Sequence, residues 1–437
     1  MAGKPYNYIL VMQWRFNASL LLALLLYHRA SLVAKMVLRD WSELPIGAKK
    51  LIIYYSISSI PLSIYVFFPI YMYLLGFSLE LVGLLFTIYY LLMALSKYIV
   101  GKLLDIKISP KICIIVIDSL AVIEYIIYSL ASAPVHFIIA FVLDCIASPF
   151  FVAYRTIEKD LYPSDKLEIA YRHHMFWPYI SQLFSIIIMG IYLWILNDPL
   201  SGMRQLFQFN AILHSLIVLY VIRHIPDTSE KVLLKTEKKR SSAKIFRGPL
   251  LFLSIAEIVI ITGYFITPSF IFLNYLFNVL GFTIITITFI EAFDTGFRGL
   301  ASILHKRIEK HKKLSILMIS LVISSLAGIL IFITQYVRSH LLLLVLIVVS
   351  LIFLGLGESL WWIQHEAIFL KYVPEDRRGE VFGTISSIRS IINILTPMVS
   401  AYIASKIHPL APFLLYAILL LSSIPIYTIS LKKTEFS

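Results

Sequence analysis

Asp118, Glu124, Asp144, Glu257, Glu291, Asp294 and Glu358 all lie inside long apolar runs of the sequence, and His365 and Glu366 follow close behind. An ionisable side chain at the centre of a bilayer costs at least ~2.5 kcal/mol on insertion scales, so each asks for a partner, an aqueous cavity or a task. Against these acids stands one deep cation, Arg389; Lys97 and Arg298 lie near enough to a membrane surface for their long stems to reach it. Arg389 is expected to neutralise Glu358 or Asp294 at similar depth, and Arg298 can reach Asp294 four residues back on a helix. Glu124, Asp144, Glu257 and Glu291 are then expected to lack a cation. Carboxyls left in that state hold a proton readily and exchange it when a cavity opens, which is the chemistry of proton-coupled transport. The alternative for any one of them is a neutral carboxyl bonded to Ser, Tyr or a backbone carbonyl.

The elements that must hold these groups follow from composition. Of 437 residues, 59% are hydrophobic and 14% charged, with a mean hydropathy of +0.86; a soluble domain carries about 25% charge. The chain is therefore expected to live in the lipid bilayer. A net charge of +13 can mark a nucleic-acid binder, but here the cations fall between apolar runs rather than across one face, so no nucleic-acid partner is expected. Cys113 and Cys145 both sit in apolar stretches and cannot by themselves make a disulfide scaffold or a four-cysteine zinc site. The chain has no Walker-type glycine loop, and His173-His174 lacks an accompanying acid constellation. Neither cofactor nor metal is expected.

A helix needs about 20 apolar residues to cross ~30 Å of hydrocarbon. Twelve segments qualify: 51–74, 81–104, 111–131, 134–156, 173–196, 204–223, 249–273, 279–303, 314–335, 340–363, 381–404 and 411–431. Every second connection is rich in Lys and Arg, whereas the intervening ones carry only Arg204, Arg338 and Lys406. Because such residues stay on the cytoplasmic side, both ends of the twelve-span body are expected in the cytoplasm, in a multi-pass protein of the plasma membrane.

The spans divide into 51–223 and 248–431, separated by a middle loop, 224–247, and followed by a tail, 432–437. Punctuation repeats between the halves. Pro69 precedes Tyr71 and Tyr73 in the first span, and Pro268 precedes Phe270 and Phe272 in the seventh. Gly101 ends the second span and Gly299 the eighth. Tyr162-Pro163-Ser164-Asp165-Lys166 follows the fourth, and Val373-Pro374-Glu375-Asp376-Arg377 the tenth. The order points to a parallel repeat.

Over roughly residues 50–431 the chain thus resembles the major facilitator superfamily of secondary transporters. That family's signature between helices 2 and 3 is matched by Gly101, Asp105 and Lys111, although Ile106 and Ile108 replace the expected base and glycine. The second copy keeps Gly299 and has Ile303 in place of the acid. The resemblance implies an all-α polytopic fold of twelve transmembrane helices in two six-helix halves. It implies a conformational latch at Gly101, Asp105 and Lys111. It also implies a central cavity lined by helices 1, 4, 7 and 10, hence by Asp144, Glu257 and Glu358 with Tyr65 and Tyr264 as wall residues. Pro61, Pro69, Pro268 and Pro397 would interrupt their helices and permit bending.

Residues 1–50 form an extension. Its apolar stretch 16–27, between Arg15 and Arg29, suits an interfacial helix, or else translation starts at Met36. The function expected is secondary transport of a small organic solute by alternating access, without enzymatic activity, by a monomer. Protons would be its second partner, with Glu124, Asp144, Glu257, Glu291, Glu358 and Arg389 as coupling and cavity residues. Excess buried acid favours export of a cationic or amphiphilic compound by proton antiport. The alternatives are a non-transporting sensor or scaffold of the same fold and a polytopic lipid-modifying enzyme.

Overall fold

A computed structural model of the chain describes residues 39–103, 107–196, 198–228, 232–233, 246–304, 313–372 and 378–435. The expectations for residues 1–38, for Asp105, for the Val373 to Arg377 turn and for most of the middle loop fall outside these residues. Twelve helical elements follow in order among the described residues: α1 (Ile46–Leu74), α2 (Leu79–Leu103), α3 (Pro110–Ser129), α4 (Pro134–Ala147), α5 (Leu167–Ile195) and α6 (Pro199–His224), then α7 (Pro249–Val279), α8 (Ile284–Leu304), α9 (Lys313–Ile333), α10 (His340–Tyr372), α11 (Arg378–Lys406) and α12 (Ala411–Glu435). Ten contain a window long and apolar enough to cross a bilayer. The exceptions have local causes. The apolar part of α4 is cut short by a 3-10 turn, Ser148–Phe151, before the chain continues as Val152–Leu161. The middle of α8 carries Glu291, Asp294 and Arg298.

Local sequence explains where these helices start and bend. Proline sits in the first turn of α3, α4, α6 and α7, where its missing N–H costs nothing, and Asp198 Oδ1 caps α6 by accepting from Ser201 N at 3.2 Å. In α1 the helix yields after Pro61 to a 3-10 turn, Ser63–Val66, and restarts at Phe68. In α7 it breaks at Thr267 and Pro268, restarts at Ser269, and closes in a π turn, Tyr275–Val279. That turn carries α7 beyond the residue-273 limit expected from hydropathy. Gly76 after α1 and Gly281 after α7 both adopt positive φ, 83° and 65°, a backbone state that other residues enter only with strain. The repeat therefore extends to the bend and the turn of the first helix in each half. Pro61 lies at the end of its helical segment, while Pro397 sits within an unbroken α11.

Packing repeats as well. Within the first half α1 packs on α5 and α6, α3 on α4 and α6, and α2 on α4; within the second α7 packs on α11 and α12, α9 on α10 and α12, and α8 on α10. The halves meet through α2 with α11 and α5 with α8, two contacts exchanged by a twofold axis. Large apolar side chains such as Phe184, Ile188, Ile212 and Leu216 remain exposed, as a lipid-facing surface requires and a soluble protein would not tolerate.

The buried apolar residues fall into three clusters. One, holding Tyr71, Phe137 and Phe207 together with Phe270, Leu276 and Phe413, joins both halves on the side away from the basic loops. On the basic-loop side each half has its own cluster, around Leu51 and Tyr54 in one and around Leu253 and Trp361 in the other. Among the described residues, the molecule is thus fastened at one membrane face and holds separate clusters at the other. The fastened face shows why: Tyr73 Oη donates to Phe270 O at 2.9 Å, Phe86 stacks on Phe270 with centroids 5.2 Å apart, and Gly83 lets α2 lie against Pro397 and Ala401 of α11.

Candidate functional site

Between the helices of the first half lies a cavity of about 890 Å³, within the range that encloses a drug-sized solute. It runs from Phe68 and Tyr128, beneath the fastened face, toward Tyr55, Tyr154 and His174. Two helices present polar stripes to it. On α1 these are Tyr54, Tyr55, Ser58, Ser59 and Tyr65; on α3 they are Asp118, Glu124, Tyr125 and Tyr128. Spacings of three, four and seven place each set on one helical face, so residues that would be costly toward lipid line a cavity instead. Ser269, at the break in α7, is the second half's contribution.

Three carboxylates line this space in three different states. Asp144 accepts a hydrogen bond from Tyr89 Oη at 2.6 Å. Asp118 accepts from Tyr54 Oη at 3.1 and 3.2 Å and lies 3.1 Å from His214 Nε2, while Tyr54 Oη is 3.0 Å from Tyr154 Oη. Glu124, only 5% exposed, makes no hydrogen bond or ion pair among the described residues. Its neighbour Tyr125 also has a buried hydroxyl without a partner among them. Among the described residues, no Lys or Arg lines the cavity. Nearer the basic-loop side, Glu158 accepts from Tyr55 Oη at 2.7 Å and from Tyr171 Oη at 3.2 Å, with His174 Nδ1 3.8 Å away.

The second half arranges its charges differently. Arg389 of α11 forms an ion pair with Glu257 of α7, and His365 Nε2 lies 3.3 Å from the same carboxylate. Glu257 therefore has the cation it was expected to lack, and Arg389 does not serve Glu358 or Asp294. Arg298 takes both of those, Asp294 through Nε at 2.8 Å and Glu358 through Nη1. The packing decides the partners: α11 lies against α7, and α8 against α10. Trp361 Nε1 donates to Tyr427 Oη at 3.1 Å, which is 2.8 Å from His365 Nδ1, and the Arg389 guanidinium sits 5.7 Å from the Trp362 ring centroid.

Of the expected cavity residues, then, the structure brings Asp144, Glu124 and Tyr65 together in the large cavity. Glu257, Glu358 and Arg389 are spent on ion pairs inside the second half, and Tyr264 is packed between Trp361 and Tyr416, with centroids 5.8 and 5.5 Å away. Glu291 borders a separate cavity of about 200 Å³ with Asp294, Arg298 and Tyr416. Glu257 and Glu358 are not among the residues lining the large cavity: Glu257 turns toward α11, and Glu358, its side chain 37% exposed, toward α8. At the latch, Gly101 lies in the last turn of α2, Asp105 is outside the described residues, and Lys111 Nζ donates to Ile222 O at 2.8 Å, tying α3 to the end of α6. Sequence reading passed over Tyr54, Tyr89, Tyr125, Asp118 and His214 as site residues. The signal was there in the helical spacing of polar residues along α1 and α3.

The sequence profile of the Major Facilitator Superfamily matches residues 51–351. No curated protein matches the chain. Among solved structures, the fold is shared with the nucleoside transporter NupG at a TM-score of 0.65 and 15% identity, over 89% of this chain and 99% of that one. It is shared with the POT family transporter PepTSo at 0.64 and 10%, over 90% and 99%. A bacterial homologue of the lysosomal transporter Spinster, in an inward-facing and occupied conformation, matches at 0.62 and 14%, over 88% and 96%.

Proposed function

The chain belongs to the major facilitator superfamily and is a multi-pass membrane transporter, and from that premise we propose that it is a proton-coupled carrier of an organic cation or amphiphile, bound in the first-half cavity and exported by antiport. One observation carries the reading: Glu124 is a buried carboxyl, unpaired among the described residues, in a solute-sized cavity lined by no cation among them. A carboxylate in such a place must be neutralised, by a proton or by a cationic solute, and one charge makes the two mutually exclusive. With the basic loops in the cytoplasm, the fastened face is the outer one and the cavity takes solute from the cytoplasm. Solute displaces the Glu124 proton there. After the halves rock to the opposite state, a proton from outside displaces the solute.

Rocking needs two rigid bodies and a face that can part. The repeat supplies the bodies, and the division of the buried apolar residues on the basic-loop side supports rotation of one against the other. Asp144 and Asp118 are held by Tyr89, Tyr54 and His214 and serve to shape the site, while the ion pairs of the second half keep its own charges neutral as it moves.

The test is a reconstitution. In proteoliposomes with an acidic interior, purified protein should accumulate organic cations as the proton gradient dissipates. Glu124→Gln should abolish gradient-driven uptake in protein that stays monodisperse. Gradient-driven uptake by the Gln variant equal to that of the parent would remove Glu124 from coupling and leave the reading without its support.

A further inference from the structure

Resting on that reading, we propose that the first-half cavity is an aromatic cage for a cation whose charge is spread over N-alkyl groups, a quaternary or tertiary ammonium, with Glu124 as its counter-charge. The walls are tyrosines. Tyr65 borders the space and packs against the buried rings of Tyr125 and Tyr128, 5.9 and 6.4 Å away by centroid, at 88° to the second. Tyr89 closes toward it beside Phe141 at 5.0 Å. Glu124 and Asp144 lie close enough to interact electrostatically with each other and with Tyr65 and Tyr128. Ring faces carry negative potential and attract cations most strongly where water is excluded.

Hydrogen-bond accounting selects the kind of cation. A primary ammonium brings three N–H donors that each need an acceptor, and a donor left unmet in a buried site is costly. Asp144 is engaged at Oδ2 by Tyr89, and Asp118 by Tyr54 and His214, so Glu124 is the cavity carboxylate with both oxygens unengaged among the described residues. The hydroxyls of Tyr54, Tyr89 and Tyr154 are likewise committed, and the unpartnered Tyr125 Oη and Ser58 Oγ are themselves buried. A quaternary ammonium needs no acceptor, and a tertiary one needs a single acceptor, which Glu124 supplies. Either offers methyl or methylene surface to the rings and one diffuse charge to Glu124.

Two isomeric probes separate the possibilities: benzyltrimethylammonium and 4-phenylbutylammonium have the same atoms and charge but differ in N–H donors. Titrated calorimetrically into purified protein, the quaternary isomer should bind about tenfold more tightly. Tyr65→Leu should weaken it about tenfold, Tyr65→Phe little, and Glu124→Gln strongly. Equal or tighter binding of the primary isomer, or indifference to Tyr65→Leu in a variant that stays monodisperse and binds the primary isomer normally, would overturn the cage while leaving cation transport intact. Binding of neither isomer, together with failure of gradient-driven uptake, would overturn both. Binding of neither with uptake of other cations intact would overturn the cage alone.

Discussion

Replacing Arg389 by methionine leaves the Glu257 carboxylate, 2% exposed, in the interior of the second half with only His365 beside it among the described residues. Removing one member of such a pair costs about 3 kcal/mol, and the loss comes chiefly from the charge left behind. The double variant Glu257→Gln, Arg389→Met should therefore recover most of the stability that Arg389→Met alone gives up. Denaturant titration in detergent checks this, and a double variant no more stable than the single would show that the pair's value lies in its attraction. Depth along a helix located Arg389 and four acids from the sequence, since it needs only counting. Partner choice was not legible, because Glu257, Asp294 and Glu358 sit at comparable depths and only the packing of α11 on α7 separates them. Glu124 was legible as a buried acid; that it alone among the cavity acids stays unpaired depends on where Tyr89 and His214 point.

Gly83 and Gly190 show what small residues do for whole helices. A Cβ at Gly83 would lie 2.6 Å from Ala401 Cβ and 3.1 Å from Pro397 O, and one at Gly190 would overlap Thr288. Both positions lie on α2 or α5, the helices that carry the contact between halves. Gly83→Val should cost about 1–3 kcal/mol in this conformation alone, shifting the balance toward the state open at the other face by roughly tenfold. Cys113 and Cys145 are buried, so a Ser269→Cys probe reports on access. Its labelling by an impermeant maleimide from the face opposite the basic loops should rise in the Gly83→Val background; unchanged labelling would mean that this contact does not hold the face shut. The twelve helices were readable because hydrophobic length is local. The bends of α1 and α7 were signalled by their prolines, whereas the π turn at Tyr275–Val279 left no pattern in hydropathy.

At the scale of the molecule, the two halves agree in packing and differ in chemistry: one encloses a large unbalanced cavity, the other closes its charges into pairs. Fold and repeat were visible in the order of punctuation, but that division of labour was not, since both halves carry buried acids in similar number. The twofold relation has a consequence for connectivity. It carries the passage from the end of α6 to the start of α7 onto the passage from the end of α12 to the start of α1, so a linker able to span one gap can span the other. A circularly permuted chain, beginning at residue 246, ending at residue 228, and joined from residue 435 to residue 39 by a flexible segment as long as the natural middle loop, should assemble and bind as the parent does. Calorimetric titration with benzyltrimethylammonium would measure it. Loss of binding in a well-folded permutant would mean that the order in which the halves are made matters to the site. Retention would mean that the polypeptide's starting point is arbitrary with respect to its architecture.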